Sequence, residues 1–82
     1  MAPILSIVVR ATWDDEASMW VATSNDIDGL AVEADTIEAL EPKVKAALAD
    51  LIELNGISSP LKEIPFYIMS EQLSRVSNPH AA

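Results

Sequence analysis

Residues 30–56 read LAVEADTIEALEPKVKAALADLIELNG, and within them the hydrophobic period changes. Leu30, Val32 and Ala34 recur every second residue, the spacing of a half-buried strand, with Ala31 and Glu33 turned the other way. From Ile37 the period lengthens. Ile37, Leu40, Val44, Ala47, Leu48 and Leu51 fall three and four apart and make one apolar stripe on a helix. Asp35 or Thr36 is the N-cap, and with Asp35 as cap Glu38 takes the third helical position of a capping box. Glu41 and Lys45 are spaced to pair on the outer face. Asn55-Gly56 ends the helix, Gly56 suiting the left-handed position after the cap. Pro42 interrupts the pattern, because it lacks an N–H and crowds the carbonyl of Glu38. The expectation is a kink, or a separate first turn with the main helix running from Pro42 to about Leu54.

Upstream lie two more strands. Ile4 to Trp13 places Leu5, Ile7, Val9, Ala11 and Trp13 on one face, while Ser6, Arg10 and Thr12 make the other polar, with Val8 as the exception. Asp14-Asp15-Glu16-Ala17-Ser18 is a turn, rich in residues that bond their own backbone. Met19 to Ser24 is the second strand and closes a hairpin, and Asn25 to Gly29 is another turn. Downstream, Ile57 to Glu63 is a loop. Ile64 to Met69 is a last strand with Ile64, Phe66 and Ile68 on one face and Pro65 near its start, where proline is tolerated. Beyond Ser70 the chain turns polar, and Ser77–Ala82 reads as a frayed tail. The order β-β-β-α-β predicts an α+β domain over residues 1–70: an antiparallel meander, a further strand on one of its edges, and one helix on one face. Residues 71–82 form a flexible C-terminal tail.

Composition narrows the function. No cysteine is present, which excludes disulfides, thiolate metal sites and cysteine nucleophiles. Five basic residues against thirteen acidic ones give a net charge of −8. Such a chain repels nucleic acid and attracts basic proteins. Half the residues are hydrophobic, a high share for 82 residues, which points to a homodimer or higher oligomer, or to a tight complex with a partner. No signal-like or membrane-spanning run is visible, so the expected location is the cytoplasm.

The stretches Trp13-Asp14-Asp15-Glu16, Met19-Trp20-Val21-Ala22-Thr23-Ser24, Asp26-Ile27-Asp28-Gly29-Leu30 and Glu33-Ala34-Asp35-Thr36 together resemble the HicB antitoxin superfamily. Within it they are most similar to short bacterial proteins carrying a domain of unknown function. Leu51-Ile52-Glu53-Leu54-Asn55-Gly56 and Ile64-Pro65-Phe66 extend the likeness, which covers residues 4 to 69. It implies a partial ribonuclease-H-like fold and a non-catalytic role: masking a small basic protein, a HicA-like toxin whose ribonuclease activity depends on a histidine. An acidic domain covering a basic RNA-binding face is electrostatically complementary. Such antitoxins often carry a C-terminal DNA-reading module. Only 26 residues follow Gly56 here, so direct DNA binding is not expected. The family turn often has proline before its glycine, where this chain has Asp28.

The residues expected to touch a partner are Asp14, Asp15, Glu16, Asp26 and Asp28 in the turns, with Trp20 and Tyr67 as aromatic anchors. Trp13 continues the apolar face of the first strand and is expected in the core. For Trp20, core and interface are equally open. Tyr67 and Met69 lie opposite Phe66 and stay available if the helix covers the Phe66 face. Against a divalent-metal nuclease built on these acids, most of them sit in turns, and Glu33 and Asp35 lack a third ligand. His80 lies in the tail with no orienting partner, Ser24, Ser58 and Ser59 have no paired base, and two glycines make no phosphate loop. No cofactor or metal is expected. The alternative to a masking module is a stand-alone oligomer that uses an open sheet edge for self-association.

Overall fold

The computed structural model describes residues 3–81. Four strands and one helix follow the expected order: β1 Ile7–Asp14, β2 Met19–Thr23, β3 Val32–Ala34, α1 Ile37–Leu54 and β4 Phe66–Glu71. The sheet runs β3-β2-β1-β4. β1–β2 and β2–β3 are antiparallel, and β4 joins the free edge of β1 in parallel. The sheet is therefore mixed. β3 and β4 both run in the direction of β1, so α1 is the crossover that carries the chain back to start a parallel strand.

The core is the layer between the helix and the sheet. Ile7, Val9 and Ala11 of β1, Ala22 of β2 and Ala34 of β3 meet Leu40, Val44 and Leu48 of α1, all buried. Ile27 and Leu30 close the same cluster from the β2–β3 connection. Leu30 is thus buried as expected, but from a loop: β3 begins two residues later, at Val32. β1 likewise starts at Ile7 rather than Ile4. The Ile4 N–H donates to the Ser58 carbonyl at 2.9 Å, so that end of the chain is held by the loop after the helix. β4 starts after Pro65 and reaches Glu71, two residues beyond the expected end.

Thr36 caps the helix. Its backbone is extended and its hydroxyl accepts from the Ala39 N–H at 3.0 Å. Asp35 therefore lies before the cap, and the third helical position belongs to Ala39, so the expected Asp35–Glu38 box does not form. No separate first turn precedes Pro42. The helix is continuous from Ile37, with Pro42 inside it. Glu38, whose carbonyl loses its intrahelical donor, and Pro42 are both solvent-exposed, so water can replace the missing N–H. Glu41 and Lys45 do not form the expected pair. The ion pair found among the described residues is Arg10–Glu71, at 3.4 Å on the surface. At the other end, the Ile57 N–H reaches the Ile52 carbonyl (3.1 Å) and the Gly56 N–H reaches Glu53 (3.4 Å). Gly56 sits at φ +61, the Schellman arrangement that its position predicts.

Candidate functional site

The strand directions sort the seven expected contact residues into three places. One end of the sheet gathers the β1–β2 hairpin, the close of β3, the start of α1 and the finish of β4. Asp14, Asp15, Glu16 and Trp20 lie here. Asp26 and Asp28 lie at the opposite end, where β2 has finished and the helix C-terminus arrives; the Asn55 side-chain amide donates to the Asp28 carbonyl at 3.4 Å. Tyr67 stands on the outer face of β4, next to Val8 of β1. The sequence placed the five acids in turns, left Trp20 open between core and interface, and could not show that the seven form no single patch.

Asp26 works inside the fold. β2 ends at Thr23, opposite Arg10, so the Val8 backbone has no strand beside it on that side. The Asp26 carboxylate accepts the Val8 N–H at 2.7 Å, and the Ser24 hydroxyl donates to the Val8 carbonyl at 2.6 Å. Ser24 also accepts the Asp26 N–H at 3.1 Å. Two side chains thus carry the ladder one step past the end of the strand. The signal available in sequence was the Ser24-x-Asp26 spacing just after a strand of alternating residues.

The hairpin end is different. Asp14 is committed to the turn, its carboxylate accepting the Glu16 and Ala17 N–H groups at 3.0 and 3.3 Å. That turn also uses the left-handed conformation at Ser18, φ +52. Asp15 accepts the Trp13 indole N–H at 2.7 Å. Trp13 and Trp20 face each other across β1 and β2, ring centres 5.4 Å apart and planes at 64°, an edge-to-face pair. Their roles reverse the expectation for Trp13. Trp20 packs against the core cluster, whereas Trp13, expected in the core, is half-exposed at the rim with its indole held by Asp15. An open groove runs beside the pair, bordered by Asp35, Thr36, Ile37, Glu38 and Gln72.

Three carboxylates adjoin the two tryptophans: Asp15, which holds the Trp13 indole, and Asp35 and Glu38, which border the groove. Asp14 and Glu16 lie in the same hairpin turn. Glu71 lies further along the same end. No Lys or Arg occurs between Arg10 and Lys43, and nine of the thirteen acids fall in that interval. Glu38 was read only as a capping residue and Asp35 as a cap or, with Glu33, a candidate metal ligand; the fold is what brings both to the hairpin end. Among the described residues, no group of three or more His, Cys, Asp or Glu is arranged to hold a metal ion. None of the described polar or charged side chains is buried. Among the described residues, no helix is long and apolar enough to cross a membrane.

Comparison with known proteins agrees with this architecture. No curated protein matches the chain. Among solved structures, a hypothetical protein, TTHA1013, from the extremely thermophilic bacterium Thermus thermophilus is 37% identical. That match covers 89% of this chain and 99% of the other, with a TM-score of 0.69. Residues 6–77 match the family model for a domain of unknown function, DUF1902, and the chain belongs to that family.

Proposed function

We propose that this domain is a HicB-like, non-catalytic binding module whose acidic end holds a small basic protein, of the kind a HicA-like ribonuclease toxin represents. The observation that carries the reading is the groove at the hairpin end: an indole pair with Asp15, Asp35 and Glu38 beside it and Asp14 and Glu16 in the adjoining turn, in a stretch of sequence without Lys or Arg from position 11 to 42. A lysine or arginine side chain suits such a groove, because its stem packs on an aromatic face while its charge meets carboxylates. A field of one sign also steers an oppositely charged partner into encounter. Asp26 takes no part, since it lies at the opposite end of the sheet, where it holds the Val8 N–H.

The test compares two charge-matched variants as baits in native extract at low and high salt. Asp15→Asn/Glu16→Gln/Glu38→Gln neutralises the acidic end. Asp50→Asn/Glu53→Gln/Glu63→Gln removes the same charge elsewhere. A stoichiometric small basic protein that is held by the wild type and the second variant, released by salt and lost by the first, is the expected result. Equal capture by both variants, or no basic partner at either salt, overturns the reading.

A further inference from the structure

The two edges of the sheet are unlike. β3 is three residues long, and the Lys43 ammonium donates to the Glu33 carbonyl on it at 3.0 Å. β4 is six residues long, Phe66-Tyr67-Ile68-Met69-Ser70-Glu71, and it pairs on one side only. It has no lysine and no internal proline, and its one charge, Glu71, stands at its end. Its hydrogen-bonding sense is fixed by the Ile7 N–H, which donates to the Pro65 carbonyl at 3.0 Å. In a parallel ladder Tyr67, Met69 and Glu71 then turn their N–H and C=O toward β1, and Phe66, Ile68 and Ser70 turn theirs to the open edge.

Apolar side chains lie on both faces beside that edge. On the outer face Tyr67 and Met69 are 58% and 54% exposed. On the helix side the groove between α1 and β4 is lined by Ile37, Leu61, Ile64, Phe66 and Ile68, with Glu41, Lys45 and Glu63 also bordering it. Past Glu71 the chain leaves its own fold, with Leu73 77% and Val76 91% exposed. The molecule measures 54 × 25 × 18 Å with a radius of gyration of 16.0 Å. A compact chain of this length has about 12 Å.

We infer that the occupant of this edge is a second copy of the chain, paired β4 to β4 in antiparallel about a two-fold axis at Met69. Two four-stranded sheets then join into one of eight, with both helices on the same side. The register follows from the faces. Only pairings whose residue numbers add to an even sum set helix side against helix side and outward N–H against outward C=O; an odd sum flips one face. A sum of 138 places Met69 opposite Met69 and Ile68 opposite Ser70 of the second copy. It also brings Leu73 against Pro65 and Arg75 against Glu63, so the departing segment finds apolar and charged complements. The neighbouring even sum, 136, sets Leu73 against Glu63 and Arg75 against Leu61. Pro65 does not obstruct the new ladder, because its position faces β1.

The chain contains no cysteine, so single-cysteine cross-linking is unambiguous. At the axis the two Met69 residues form a non-hydrogen-bonded pair with Cα atoms about 4.5 Å apart, within disulfide reach. Light scattering on the wild type is expected to give twice 8.9 kDa. Mild oxidation of Met69→Cys is expected to give a covalent dimer, and Glu53→Cys none. Ser70→Pro removes an N–H that faces the open edge and not β1. It is expected to weaken dimerisation about tenfold to a hundredfold with the circular dichroism unchanged. A wild type that stays at 8.9 kDa to its solubility limit overturns the inference, as does a dimer that neither cross-links at position 69 nor responds to Ser70→Pro. The inference is independent of the basic-partner reading: Asp15→Asn/Glu16→Gln/Glu38→Gln leaves this interface intact.

Discussion

Removing the Asp26 carboxylate tests whether side chains substitute for strand in this sheet. In Asp26→Ala the Val8 N–H loses an acceptor at 2.7 Å, and the Ser24 hydroxyl keeps its 2.6 Å bond to the Val8 carbonyl. A hydrogen bond to a charged group contributes roughly 1.5–3 kcal/mol when it is shielded. Asp26 is solvent-exposed and water can reach Val8 in its absence, so about 1 kcal/mol is the expected loss. Ser24→Ala removes a part-buried bond to the carbonyl and an acceptor for the Asp26 N–H, and should cost about 1–2 kcal/mol. Because the two residues share Val8 and bond each other, the double variant should cost less than the sum. For a domain of this size each kcal/mol lowers the melting temperature by roughly 4–8 °C. Urea unfolding followed by tryptophan fluorescence, at one fixed protein concentration, measures all four corners of the cycle. Glu16→Ala is the control, since its side chain makes no bond and surface changes of that kind stay within about 0.5 kcal/mol. If Asp26→Ala matches Glu16→Ala, or the two losses add without coupling, Asp26 is a surface acid like the others and returns to the set of partner contacts.

Pro42→Ala restores a donor for the Glu38 carbonyl. The helix gain is partly offset by the freer unfolded chain, and the net expectation is about 1 kcal/mol of added stability; a lower urea midpoint would contradict it. Gly29→Ala should destabilise by about 1–2 kcal/mol, because φ is +92 and the new Cβ would meet the Leu51 Cδ2 at 3.3 Å. Gly56→Ala, at φ +61 with open space around it, should cost no more than about 1 kcal/mol, so the order of the two midpoints is the readout.

The parts of the fold legible in sequence were those written in a local period. Ile7, Val9 and Ala11 at spacing two and Leu40, Val44 and Leu48 at spacing four are the buried residues that the pattern names. Choices between near-equal local options were less legible. Asp35 and Thr36 both cap well, and what selects Thr36 is where β3 releases the chain. Pro42 argued for a kink or a separate first turn; no separate turn forms, because burying Leu40 and Val44 on the stripe opposite outweighs one lost bond. The tryptophans were misordered for a related reason. Both lie on the inner face, but Trp13 sits where the helix has not yet begun, and Trp20, beside β3, lies nearer to it. The acid end was half legible: Asp14, Asp15 and Glu16 announce a turn, while the arrival of Asp35 and Glu38 beside them depends on the path of β3.

The acid end and the open edge are separate surfaces, and their geometry makes them compatible. The acids crowd the end of the sheet at which β1 and β4 finish. In an antiparallel β4–β4 pair the two copies of that end point in opposite directions. Two basic partners would then bind at the far ends of one eight-stranded sheet without touching each other. The segment after Glu71 runs from its own acid end alongside the opposite end of the second copy, where Glu63 and Ile64 lie. Of this segment only Gln72 borders the groove, and the residues after it lead away from the hairpin and the start of α1. Dimerisation in this register adds no competition for the groove beside Trp13 and Trp20, so Ser70→Pro should change the mass of the assembly and leave the affinity of each acid end for a basic partner unaltered.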